Sequence, residues 1–145
     1  MSRINILSFD TETLGLEDPI HSMNQIIEFA IVPAMIIIND DDPKDVQLII
    51  APDVFEIKVK CPSFEELEPN LTDWVKTNNK GIIEDANLKG VVDSVFREEL
   101  STYLTRMKDM LFGGEDVLFL GKSMQSLDAP LLHKHLGWDF IQDWG

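Results

Sequence analysis

The chain has 145 residues, the length of one domain, with 44% hydrophobic and 26% charged residues, a composition that supports a buried core. Lysine plus arginine is 12 against 26 aspartate plus glutamate, a net charge of −14, which excludes a broad basic footprint for long duplexes. One cysteine, Cys61, excludes an intrachain disulfide and a cysteine-based zinc centre, and a reducing, cytoplasm-like compartment is expected. The first residues fit no signal peptide, and the apolar runs are too short and interrupted to cross a membrane.

Ile4 to Phe9 is a short apolar strand that delivers Asp10 at its end. Gly15 and Asp18-Pro19 mark a turn. Ile26 to Ile38 is a long β-branched stretch, in which Pro33 predicts a bulge or an edge position. Asn39 to Pro43 is a turn, and Val46 to Ala51 returns as a strand, giving a three-strand antiparallel meander. Phe55 to Lys60 alternates like an exposed strand or arm. Pro62 to Gly81 reads as loop with short helical turns around Trp74. Val92, Val95, Phe96, Leu100, Tyr103, Leu104, Met107 and Leu111 recur at helical spacing and predict an amphipathic core helix ended by Gly113-Gly114. Val117 to Leu120 is the continuous apolar kind of strand found in parallel pairing. Ser126 then caps a helix running to about Leu136, with Pro130 in its first turn and Gly137 as its stop. This order predicts a single domain with a mixed α/β sheet.

Asp10 and Glu12 stand two apart, so in a strand both carboxylates aim at one spot. Two adjacent like charges are costly, and a divalent cation relieves the cost. Asp128, two residues past the expected cap, sits where a helix N-terminus favours its ionised form. Glu28 reads equally as a buried partner of this site or as an exposed edge residue. His133 and His135 face different directions on a helix and are expected on its surface. Gly121-Lys122-Ser123 mimics the tail of a phosphate loop, but Asp116 stands where that loop needs glycine, and Val117 to Leu120 reads as strand.

Asp10-Thr11-Glu12 with Gly15-Leu16 and Ile26-Ile27-Glu28-Phe29-Ala30 resembles the first motif of the DEDD exonucleases, whose fold is RNase H-like. Gly121-Lys122-Ser123 with Leu127-Asp128 and Leu131-Leu132 resembles their second motif. Thr72-Asp73-Trp74 and Thr77 to Ile82 are similar to the intervening segment of the oligoribonucleases, the nearest likeness within that superfamily. The resemblance implies a 3′→5′ exonuclease on short single-stranded RNA or DNA that releases 5′-mononucleotides. It implies two Mg²⁺ or Mn²⁺ ions on Asp10, Glu12 and Asp128, one readying a water and the other steadying the leaving oxygen. It also implies substrate contacts at Thr11, Thr13, Leu16, Trp74 and Ser123, and pairing as a homodimer or with a partner that completes the site.

Two positions depart from the pattern: Leu14 stands where these enzymes have threonine, and Lys122 where they have asparagine. The third motif, with its general base and fourth carboxylate, is expected at or beyond Gly145, where Asp143 offers only a weak substitute. A catalytically silent exonuclease-like binding or assembly module is the alternative.

Overall fold

A computed structural model describes residues 1–15, 24–122 and 128–137. Five strands form one mixed sheet: β1 (Ser2–Thr13), β2 (Ile26–Asn39), β3 (Asp42–Ile50), β4 (Phe55–Lys58) and β5 (Val117–Gly121). The order is β3-β2-β1-β5, with β4 also on β2. β1, β2 and β3 pair antiparallel, as the meander predicted, and β5 runs parallel to β1 from Asn5↔Val117 to Phe9↔Gly121. Asp10 is therefore one residue beyond the point where β5 ends alongside β1.

Pro33 corrects its own expectation. It lies inside the central strand β2, opposite Leu7, with no bulge there. Its carbonyl accepts from the Ala51 N–H at 2.9 Å. Its missing N–H therefore faces the corner between β3, which ends opposite Ala34, and β4, which begins opposite Ile31. At that corner no ladder bond is lost.

The helices are α1 (Phe64–Leu67), α2 (Asp73–Asn78), α3 (Lys80–Lys89), α4 (Asp93–Arg106) and α5 (Ala129–Leu136). α4 continues as a π-helical turn over Met107–Leu111. Short turns across 62–78 were legible; α3 was not foreseen. Its only buried residues are Ile83 and Ala86, too few to raise a helical stripe above a polar background.

Alternation divides the sheet into two faces. Leu7, Phe9, Phe29, Ile31 and Ile57 pack against α4 and α5 through Phe96, Leu100, Leu104, Leu131 and Leu136. Phe29 is the hub of this core, with its ring 5.3 Å from Phe9 and 5.6 Å from Phe96. The predicted stripe is core from Phe96 to Met107, but Val92 lies outside it, half exposed ahead of the helix. β5 pairs as expected yet is only half-buried, through Val117 and Phe119 on one face, since Leu118 and Leu120 are exposed.

A smaller core forms on the opposite side at the end of β1, from Leu14, Ile27, Leu67, Leu71, Val75, Ile83 and Ala86. A bulge makes both cores possible. Glu12 pairs with Glu28, but Thr13 pairs with Ile26, so Ile27 is the extra residue of β2. The bulge breaks the alternation and leaves two consecutive residues, Ile27 and Glu28, on one side of the sheet: Ile27 enters the small core there and Ile26 the large one, both fully buried. No helix among the described residues is long and apolar enough to cross a membrane.

Candidate active site

The site is built by the last four residues of β1. Leu7 and Phe9 are held in the large core, so Asp10 and Glu12 must point out of the opposite face, and both are exposed there. The neighbouring strands extend this row. Glu28 stands directly across from Glu12, and Lys58 directly across from Glu28. Side chains in directly opposed pairs lie about 4.5–5.5 Å apart at Cβ. Glu12, Glu28 and Lys58 thus form one line across three strands.

Asp10, Glu12, Glu28, Glu56, Lys58 and Lys89 line a single open cleft of about 610 Å³. The Glu12 carboxyl is held above the usual glutamate range, first by partial burial and then by repulsion from Asp10 and Glu28. Glu28, open between two readings in the sequence, belongs to this cleft and is no edge residue. Its Oε1 lies 3.7 Å from the Lys58 ammonium, which also donates to Asp85 Oδ2. Asp85 Oδ1 lies 3.1 Å from Lys89 Nζ. Nothing in the amino-acid pattern assigns Lys58, Asp85 or Lys89 a role; the Glu56-Ile57-Lys58 alternation is visible, but not which face it shares with Asp10.

Thr11 points to the covered side of the sheet, and its Oγ1 is buried without a hydrogen-bond partner. Thr13 Oγ1 accepts from the Gly15 N–H at 3.2 Å, closing the turn that follows the strand. Gly15 has φ +71°, and a Cβ there would lie 2.7 Å from Val75 Cγ2. α2 therefore docks directly on the end of the motif. Its Trp74, next to Val75, is 65% exposed and lies outside the cleft lining.

Asp128 is 4% exposed at the start of α5 and does not line the cleft. Its backbone is already helical. Leu16, Ser123, Ser126 and Asp143 lie outside the described residues. Among the described residues, no group of three or more His, Cys, Asp or Glu side chains is drawn close enough to enclose an ion. The donors nevertheless suit a hard divalent cation in kind, being carboxylate oxygens. They also suit it in charge, because Glu12 is crowded by two like charges.

The two histidines divide. His133 is exposed as expected. His135 is not a surface residue: its side chain is 5% exposed. Its Nε2 accepts from the Ile26 N–H at 3.0 Å, so the ring proton sits on Nδ1, which donates to Asp93 Oδ1 at 2.8 Å. The ring ties the start of β2 to α4 and α5, where helical spacing alone gave no hint of a strand beneath.

No protein-family model matches the chain, and no curated protein sequence matches it. Solved structures do. Exonuclease I in complex with an inhibitor superposes with a TM-score of 0.60 at 16% identity, over 97% of this chain and 25% of its own. E. coli exonuclease I in complex with a dA16 oligonucleotide gives 0.53 at 14% identity, over 94% and 24%. The chain has the fold of the exonucleases. Cell-death related nuclease 4 also superposes, with a TM-score of 0.52 at 22% identity over 88% of this chain and 39% of its own. The chain spans about a quarter of the length of the exonuclease I structures. The mixed sheet of this exonuclease fold, three antiparallel strands and then a parallel one, agrees with the RNase H-like expectation.

Proposed function

We propose that this chain is a metal-dependent 3′→5′ exonuclease acting on short single-stranded RNA or DNA and releasing 5′-mononucleotides. The observation that carries the reading is the cleft itself. On an exonuclease fold, Asp10 and Glu12 leave one strand toward the same solvent-open space, with Glu28 opposed and the Glu12 carboxyl raised above its ordinary range by partial burial and then by its like-charged neighbours.

In this reading Asp10 and Glu12 hold Mg²⁺ or Mn²⁺, and Asp128 joins them from the start of α5. Bound divalent ions would acidify a water and offset charge on the phosphodiester. The chain's own residues position the substrate. The turn that Thr13 closes on the Gly15 N–H fixes the backbone beside the two carboxylates, and Thr11 and Thr13 are substrate contacts of this proposal. Trp74 offers an exposed aromatic face one residue from the Val75–Gly15 contact, suited to stacking on a base. Leu16 and Ser123 are the further substrate contacts of this proposal.

The test is incubation with short 5′-labelled RNA and DNA in Mn²⁺, with EDTA and Asp10→Ala controls. Stepwise shortening from the 3′ end, lost in both controls, is expected. A silent binding module is the second reading, favoured by the place of Asp128 outside the cleft lining. It predicts metal-dependent oligonucleotide binding without cleavage. Neither cleavage nor metal binding would sink the enzyme reading.

A further inference from the structure

An acidic protein that grips a polyanion needs cations placed locally. With a net charge of −14, most of this surface repels a phosphodiester. Divalent ions on Asp10 and Glu12 would offset charge at the reacting phosphate only. The flanking phosphates would then face Glu28 and Glu56 with no ion to screen them.

Lys58 and Lys89 supply the cations of the cleft lining. They come from different elements, β4 and α3, and one carboxylate joins them. Asp85 receives Lys58 on Oδ2 and Lys89 on Oδ1. Asp85 and Lys89 share a helix face because they are four residues apart. The trio carries two positive charges and one negative, so it stays net cationic. Each ammonium has three N–H donors. Lys89 makes one ion pair and is 65% exposed, so it keeps donors for a ligand.

The base beneath the trio is firm. Ile83 and Ala86 anchor α3 in the small core. Just past Lys89, Gly90 passes so close to β4's extension that a Cβ would lie 2.7 Å from Lys60 N. The next residue bridges back, the Val91 N–H donating to Lys58 O at 2.9 Å. Lys58 and Lys89 are thereby referenced to one another through the backbone as well as through Asp85. Holding two flexible side chains in place before binding removes part of the ordering cost at binding.

We infer that Lys58 and Lys89 are the phosphate-binding arm of the cleft, and that Asp85 is the positioning residue that holds them there. The inference rests on the nuclease reading and names how that site holds a phosphodiester backbone beside the reacting phosphate.

The experiment compares wild type, Lys89→Gln, Asp85→Asn and Lys80→Gln on one short oligonucleotide with Mn²⁺. Lys80 is the control: it is an exposed lysine of α3 paired with Glu84, outside the cleft lining. Lys89→Gln should raise KM about three- to tenfold with kcat nearly unchanged, an interaction equal in ground and transition states. The slope of log(kcat/KM) against log salt should flatten by about 0.7, the value of one lost single-strand phosphate contact. Lys80→Gln should change neither.

Asp85→Asn decides between position and charge. It removes a negative charge, so a purely electrostatic cleft would bind substrate more tightly. A positioning role predicts the opposite, a higher KM, restored by Asp85→Glu. A lower KM in Asp85→Asn, or equal effects of Lys80→Gln and Lys89→Gln, overturns the inference. Should the wild type not cleave, fluorescence anisotropy with a hydrolysis-resistant phosphorothioate oligonucleotide separates the two proposals. Binding weakened by Lys89→Gln alone upholds the arm while the nuclease reading fails. Binding equal in wild type and Lys89→Gln, or absent from both, overturns the arm.

Discussion

Replacing Glu12 by glutamine should make the ion-free protein more stable and the ion-loaded protein less so. Glu12 faces Glu28 directly across β1 and β2, and like charges in such a pair destabilise by about 0.2–1 kcal/mol. Glu12 is exposed, so only this screened cross-strand range applies. In a domain of this size about 2–4 °C of Tm accompanies each kcal/mol. Glu12→Gln in EDTA should therefore melt about 0.4–4 °C above wild type at neutral pH.

The pH dependence carries a sign. A carboxyl whose folded value is raised contributes stability that is complete below its unfolded value and is lost as pH rises through the folded one. Wild type in EDTA should lose that increment as pH climbs from the ordinary glutamate range upward, and Glu12→Gln should lack it. With Mn²⁺ at about a hundred times its dissociation constant, wild type gains about 2.7 kcal/mol by mass action, or roughly 5–10 °C. The variant should gain a small fraction of that. The assay is differential scanning fluorimetry across pH with and without Mn²⁺. A variant that is less stable than wild type in EDTA, yet rises equally with Mn²⁺, would refute the idea that Glu12 is crowded in wait for a cation.

Three further outcomes follow from single contacts. In Gly90→Ala the new Cβ would meet Ala86 O at 2.2 Å and Lys60 N at 2.7 Å; overpacking of this kind costs about 1–3 kcal/mol, and an unchanged urea midpoint would contradict it. His135→Ala strips the Ile26 N–H of its acceptor, a loss of about 1–3 kcal/mol for a buried donor, measurable by the same denaturation. Burial pushes the Cys61 thiol from its ordinary 9.0 up to about 11. At pH 8 it should react with a thiol reagent roughly a hundredfold more slowly than an unhindered cysteine, the ratio of thiolate populations, and catch up on unfolding.

The sheet was legible because strand signals are strong where both partners are apolar. Ile26 to Ile38, Val46 to Ala51 and Val117 to Leu120 all emerged as strands, β5 in its predicted parallel pairing. Asp10 and Glu12 were legible as a pair because a two-residue period needs no knowledge of the neighbouring strands. Glu28, Lys58 and Asp85 were not, since their meeting depends on register. Glu28 reaches Glu12 only because the bulge at Ile27 sets the pairing beyond it. Lys58 reaches Glu28 only because β4 adds to the same edge of β2 as β3. His135 failed for a related reason: helical spacing shows which way a side chain turns, but not that the start of β2 lies in that direction.

The same register explains how a chain of this charge can present a usable anion site. Read across the strands, the row runs Glu12, Glu28, Lys58, then Asp85 and Lys89 from α3. Beyond the cleft's acidic end the signs alternate, so Lys58 stands between two carboxylates and Asp85 between two lysines. Coulomb energy in such a row falls with distance and with exposure to water. A cation entering at Asp10 and Glu12 would also attract Glu28, and so compete for it with Lys58, which lies 3.7 Å away. Lys58 would then be held chiefly by Asp85, with more of its donor capacity turned to the cleft. Loading the acidic end would then also free the basic end. The KM effect of Lys58→Gln should accordingly be larger at saturating than at limiting Mn²⁺, and an effect independent of the ion would mean that the two ends of the row act separately.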